Sequence, residues 1–273
     1  MTLSAATVSV SYGPDTVLND VSLGVEAGEV VTVVGPSGTG KTTLLRLLGM
    51  FRRPDDGTIT WNDTDVWGLS ETERLAVRRR ISMVFQEPSL FNAPVAQNVT
   101  YGQRVREPWR ERIRKSIRNL VGDRTLSESA RDALDTVGLL DKADQNALSL
   151  SGGEAQRVAF ARALAVDPEI VLLDEPSSNL DPRNTAVLED AIRRARERGV
   201  GVVVATHDMN QAERISDRVG FIYDGKLVET GPPSQIFDTP NDSRTKQFVD
   251  GELMYDVEET TNGQARKSTS VSP

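Results

Sequence analysis

Residues Gly35-Pro36-Ser37-Gly38-Thr39-Gly40-Lys41-Thr42-Thr43 combine three glycines, a lysine and a run of hydroxyls in the pattern G-x-x-x-x-G-K-[ST]. That set of groups binds phosphate. The glycines allow torsions in which successive backbone N–H groups converge on phosphate oxygens, and the positive end of a following helix adds to the attraction. Lys41 is placed to reach β- and γ-phosphates, and the Thr42 hydroxyl to ligate Mg²⁺. A second group lies in Ile170-Val171-Leu172-Leu173-Asp174-Glu175-Pro176, with two carboxylates at the end of an apolar run. Asp174 suits a Mg²⁺ shell, and Glu175 suits a general base that polarises a water. His207, the only histidine, follows the apolar run Val202–Ala205. An imidazole N–H there can bind a terminal phosphate or orient the attacking water. Gln86 closes the run Ile81–Phe85, where it can sense the metal and the water. Ser151, Gly152, Gly153 and Glu154 follow Leu150 and open a run of small and apolar residues, a second helix start fit for an anion. One chain does not need two phosphate cradles for one nucleotide. The economical explanation is that each cradle completes the other's site across a head-to-tail dimer.

These groups must be held by strands and helices. Val30–Val34 reads as a buried strand entering the glycine-rich loop, and Thr43–Leu48 as a helix leaving it. Residues 170–173 and 202–205 are continuous apolar runs, as expected at the centre of a parallel sheet. With 81–85 they would end at one ligand crevice. Residues 7–12, 21–25 and 58–61 predict a small antiparallel sheet around the start of the nucleotide core, with 58–61 as an edge strand. Residues 219–223 and 226–229 flank Asp224-Gly225, a hairpin signal. Helices are expected over 71–80, 107–119, 127–138, 154–165 and 183–198; the first ends in Arg78-Arg79-Arg80 and reads as a solvated face. Pro88 and Pro94 break regular structure. The stretch 88–165 lacks strand patterns and reads as a helical subdomain inserted in the sheet. The expected fold is therefore α/β with a mostly parallel sheet, in a domain spanning 1–251. The polar stretch 252–273 is expected to be a disordered tail.

Composition narrows the function. The 273 residues carry a net charge of −8 with a sequence pI of about 4.9, which argues against a broad nucleic-acid-binding surface. The acidic, lysine-poor balance fits either a high-salt cytoplasm or a GC-rich genome. There is no cysteine, hence no disulfide and no thiolate metal site. No apolar run approaches the roughly 18 residues of a membrane span, and no signal-peptide pattern opens the chain. A cytoplasmic protein, or one held at a membrane by a partner, is expected.

Taken in order, the loop 35–42, Gln86, Leu150–Glu154, 170–174, Glu175, Ser178-Asn179-Leu180-Asp181 and His207 resemble the ATP-binding subunit of ABC transporters, over about residues 3–250. The resemblance implies a P-loop NTPase core with an N-terminal antiparallel β subdomain and an inserted helical subdomain, using ATP and Mg²⁺. It implies that Tyr12, in Ser11-Tyr12-Gly13, stacks on adenine, and that Asp181 lies in a loop touching the opposite site of a homodimer. Each ATP would lie between Gly35–Thr43 of one copy and Ser151–Glu154 of the other, with Ser151 and Gly153 facing the phosphate. Glu154 stands where the family most often has Gln. Partners would be separate membrane permease subunits, received on the surface 88–95 with an exposed Leu90-Phe91 pair, and indirectly an extracellular substrate-binding protein. The place of action would be the cytoplasmic face of the membrane, as a peripheral subunit. The segments 209–218 and 245–251 are similar to phosphate and tungstate/molybdate importer subunits, with polar amino acid import or a non-transport ABC ATPase as the alternatives. A P-loop kinase or GTPase would not explain Leu150–Glu154.

Overall fold

The computed structural model describes residues 2–106 and 126–251. The helix expected over 107–119 and the tail 252–273 lie outside the described residues. The expected α/β architecture is present, built on a six-stranded sheet. β3 (Val30–Val34), β6 (Ile81–Val84), β7 (Ile170–Asp174), β8 (Gly201–Thr206) and β9 (Arg218–Tyr223) are parallel neighbours, and β10 (Lys226–Gly231) closes one edge antiparallel to β9. The spatial order is β10-β9-β3-β8-β7-β6. The turn between β9 and β10 uses Asp224 and Gly225, both at positive φ, as the Asp-Gly signal requires.

The central strands are buried on both faces, yet their residues still alternate between two cores. Val31 and Val33, Ile170 and Leu172, Val203 and Ala205 face a core shared with helix α1 (Lys41–Leu48) and the N-terminal sheet. Val30, Val171, Leu173, Val202 and Val204 face the other core. There they meet α3 (Val95–Arg106), α4 (Glu128–Thr136), α5 (Gly152–Leu164) and α6 (Pro182–Glu197). Among the described residues between β6 and β7 there is no strand, only α3, α4, α5 and two short 3-10 turns.

The N-terminal sheet runs β2-β1-β4-β5, antiparallel throughout, with β1 (Thr2–Tyr12), β2 (Asp15–Glu26), β4 (Asp56–Trp61) and β5 (Thr64–Asp65). β4 is not the edge strand that its sequence suggests, because the two-residue β5 folds back on it. The helix expected over 71–80 is α2 (Glu71–Arg78), capped by Ser70. Pro94 acts as the entry to α3 rather than only as a breaker, a role suited to a residue that needs no N–H donor. Three short helices, α7 (Met209–Ile215), α8 (Pro233–Asp238) and α9 (Ser243–Val249), have no counterpart in the periodicity. Each is too short to display a repeating apolar face, and each is held by one to three buried residues. Among the described residues no helix is long and apolar enough to cross a membrane.

Candidate functional site

The parallel register brings four strand ends together. β3 lies beside β8, β8 beside β7, and β7 beside β6, with Val34 opposite Thr206 and Asp174 opposite Ala205. The glycine-rich loop, His207, Asp174-Glu175 and the Phe85-Gln86 segment therefore leave neighbouring strands at the same end of the sheet. The loop turns into α1 at Gly40, which has φ 101°. A Cβ at Gly40 would lie 2.6 Å from Leu18 Cδ2 and 2.9 Å from Val17 O, so both backbone torsion and space demand glycine. Lys41 Nζ donates to the carbonyls of Gly35 at 2.7 Å and Pro36 at 2.9 Å, and Thr39 Oγ1 donates to Pro36 O at 2.9 Å. Ser37, Gly38 and Thr43 complete the turn onto the helix.

The second cluster is joined to the first by direct contacts. Thr42 Oγ1 donates to Asp174 Oδ1 at 2.9 Å. Glu175 Oε1 lies 4.0 Å from Lys41 Nζ, while its Oε2 meets His207 Nδ1 at 2.8 Å. Burial pushes the Asp174 carboxyl up, against the Thr42 hydroxyl and the nearby Arg46 and Lys41. Burial pushes the Lys41 ammonium down, against Glu175 and Asp174. Both charges are thus held in a place that disfavours them singly, the environment expected where a ligand of mixed charge is to bind. Glu175 is held at φ 47°, a left-handed conformation costly for a residue with a side chain. Its N–H donates to Ala205 O at 2.8 Å, which continues the β7–β8 pairing and fixes it there. His207 is more than half exposed, so its second ring nitrogen is open to a ligand. If Nδ1 carries the proton given to Glu175, that second nitrogen is an acceptor. It can donate to phosphate only as the imidazolium or after release from Glu175.

Other expected site residues stand apart from this cluster. Gln86 is exposed and its Nε2 donates to Ser178 Oγ at 3.4 Å, with no hydrogen bond to Thr42 or Asp174. Tyr12 presents one exposed ring face; the Arg52 guanidinium covers the other at 4.1 Å from the centroid. The adjacent Arg52 guanidinium lowers the phenol pKa, with Thr43 acting in the same direction. Ser151 and Glu154 form a reciprocal cap at the start of α5, and no hydrogen bond among the described residues links them to the loop 35–43. Gly152 is exposed, but Gly153 is buried against the start of α6, where a Cβ would lie 2.4 Å from Asn184 Cγ. Packing of α5 on α6 is thus the demand that makes residue 153 a glycine. Asp181 caps α6 through the Asn184 N–H at 3.0 Å.

The expected exposed pair Leu90-Phe91 is only half present. Leu90 packs against the helical core. Phe91 is exposed and lies against Tyr101, ring centroids 4.6 Å apart. Both aromatics line a groove of about 450 Å³ with Met83, Phe85, Pro88 and Arg162. Sequence reasoning missed three supporting residues: Arg52 behind Tyr12, Lys142 against Glu154, and Gln211, whose Oε1 accepts from Ser177 at 2.8 Å. None carries a spacing signal, because each meets its partner only through the fold.

The family described as ABC transporter matches residues 18–178. The chain belongs to the ABC transporter family. It is 56% identical over 253 residues to a probable anion import ATP-binding protein of Haloferax volcanii, covering 93% of this chain and 88% of that protein. It is 57% identical over 253 residues to a phosphate import ATP-binding protein of Natronomonas pharaonis, with the same two coverages. The solved dimeric structure of a bacterial ABC transporter cassette matches with a TM-score of 0.70 at 29% identity, covering 85% of this chain and 98% of that one. ATP-binding subunits of this family are ATPases coupled to transport, and this ABC subunit is one of them.

Proposed function

We propose that this ABC subunit powers import of an inorganic oxyanion, phosphate foremost and tungstate or molybdate within the same class. It would act as a homodimer on separate permease subunits at the cytoplasmic face of the membrane, with an extracellular binding protein delivering the anion. The carrying observation is the junction of Lys41, Thr42, Asp174, Glu175 and His207 at the ends of β3, β7 and β8, with Ser151–Glu154 bonded, among the described residues, only to their own surroundings. The arrangement supplies one wall of a nucleotide site. A second copy, as in the solved dimeric cassette, would supply the other. The relatives named for anion and phosphate import support the choice of cargo.

In this reading Tyr12 stacks on the adenine through its open face. The backbone of Gly35, Pro36, Ser37, Gly38, Thr39 and Gly40 and the N-terminus of α1, with Thr43, hold the phosphates. Lys41 exchanges the carbonyls of Gly35 and Pro36 for β- and γ-phosphate oxygens. Thr42 and Asp174 offer hard oxygen donors, one on a buried carboxylate that favours a cation, so they fit Mg²⁺, with Gln86 reaching in on closure. When bound, Mg²⁺ supplies charge neutralisation on the β- and γ-phosphates. Glu175 takes a proton from the attacking water as its oxygen bonds to the γ-phosphorus and the bond to the ADP oxygen breaks. His207 orients Glu175 and, once released from it, donates to the γ-phosphate. Ser151, Gly152 and Gly153 of the second copy close over the γ-phosphate, and Asp181 faces the opposite site. Closure draws the permeases together through the aromatic groove at Phe85, Phe91 and Tyr101; hydrolysis separates the copies.

The test has two arms. Glu175→Gln with ATP should run as a dimer by light scattering and lose ATPase at least about a hundredfold, the scale of a lost general base. A monomer with undiminished ATPase overturns the mechanism. With the permeases and binding protein reconstituted in vesicles, phosphate should stimulate ATPase; stimulation by an amino acid alone overturns the cargo.

A further inference from the structure

The anion cradle at the start of α5 already contains an anion. Glu154 Oε2 accepts from the Ser151 N–H at 3.0 Å and from the Ser151 hydroxyl at 3.0 Å. The groups a phosphate would seek there are therefore turned onto a carboxylate. The Lys142 ammonium, with these hydrogen bonds, holds the Glu154 pKa down to about 2, so the negative charge persists across the physiological range. A polyphosphate brought to Ser151 would meet a like charge within one or two hydrogen-bond lengths, a repulsion larger than the gain from a single neutral donor.

Among the described residues, one cation answers that charge directly. Lys142, on the short turn Leu140–Lys142 beside the cradle, gives its ammonium to Glu154 Oε1. Arg157 also feels the Glu154 charge, but its Nη1 is spent on Val137 O at 2.9 Å. Asp141 and Asp181 also act on Arg157, so the surroundings hold further carboxylates and, among the described residues, no other direct cation on Glu154.

We propose that Lys142 is a positioning residue of the ATP site. By holding and neutralising Glu154 it frees Ser151 and the α5 N-terminus to turn from that carboxylate to the γ-phosphate held by the partner copy. The segment Leu150–Glu154, which ends in a carboxylate, thereby works as an anion cradle. The inference rests on the two-copy reading of the site and adds a residue that lies outside the segment Leu150–Glu154.

The experiment measures the ATP concentration for half-maximal dimer formation, by light scattering, in the Glu175→Gln background. Lys142→Met should raise that concentration about tenfold, the effect of one uncompensated charge facing a phosphate near a protein surface. The deficit should shrink as salt is raised, and Lys142→Arg should remain within about threefold of the parent, since it restores the charge. When Glu154→Gln is also present, Lys142→Met should have less than about twofold effect, because no charge is left to answer. A thermal melt without nucleotide checks that each variant is folded, and Lys142→Gln serves as the second variant should Lys142→Met unfold. If Lys142→Met is silent on a dimer that forms, or weakens it equally with and without Glu154→Gln, the assignment of Lys142 is wrong. If Glu175→Gln forms no dimer with ATP at all, the two-copy reading fails and takes this assignment with it.

Discussion

Replacing Gly153 by alanine sets two effects of opposite sign against each other. Alanine is the better helix former, worth up to about 1 kcal/mol over glycine within a helix and less in its first turn. Against this stands the space available. The new Cβ would lie 2.4 Å from Asn184 Cγ, 2.6 Å from its Nδ2 and 2.9 Å from its Cβ. Swinging the Asn184 amide away relieves the first two contacts, but it breaks the bond from that amide to the Asp181 carboxylate. The third contact survives any rotamer change, because rotation about Cα–Cβ does not move Cβ. Only a shift of α6 against α5 removes it. Overpacking of this kind costs about 1–3 kcal/mol, so the clash wins and Gly153→Ala should be net destabilising. For a chain of this size that lowers Tm by roughly 2–8 °C. A calorimetric melt without nucleotide reads it directly. Asn184→Ala removes two of the three contacts, so the double variant should lose less than the sum of the single losses, by at least about 0.5 kcal/mol. A Gly153→Ala protein that melts at or above the parent would refute the reasoning, as would strict additivity.

Three further outcomes follow from the same geometry. Burial raises the Asp174 pKa, so holding this group ionised costs stability at neutral pH; Asp174→Asn should raise Tm without ligand while removing ATPase, checked by melting and phosphate release. Arg52→Ala should uncover the rear face of Tyr12 and lose the cation–π contact, weakening ATP binding about two- to fivefold by fluorescent-nucleotide titration. For Glu154 the folded pKa is depressed from 4.5 to about 2, so its contribution is present above pH 4.5 and is lost as pH falls towards 2. Because the pair is near the surface, screening cuts that contribution to about 1 kcal/mol, and an acid titration of stability should show the matching loss vanish in Glu154→Gln.

The chemistry of the site was legible because it is concentrated in contiguous stretches. A glycine-rich loop with its lysine and threonine, a carboxylate pair closing an apolar run, and a lone histidine after another apolar run each announce a function locally. The strands that carry them were equally plain, since four apolar residues in a row, or four about a single threonine, leave little choice but a buried strand. The short helices α7, α8 and α9 were not, because one to three buried side chains make no period. The packing demand on Gly153 was hidden for a related reason. A glycine can answer a phosphate or a neighbouring helix, and only the position of Asn184 tells which demand a side chain would violate.

The sequence by itself determined which groups are available: phosphate donors at 35–43, carboxylates at 174 and 175, and a titratable ring at 207. Tertiary structure decided which of them meet. Nothing in the chain order sets β8 between β3 and β7, yet that order joins Glu175 to both Lys41 and His207. It likewise decided that Arg52 lies behind Tyr12, that Lys142 answers Glu154, and that Glu175 adopts a left-handed backbone. The physical reason is one of range. Side-chain chemistry and apolar periodicity are properties of neighbours along the chain. Strand order and ion pairing are chosen by burial and charge summed over residues far apart in it.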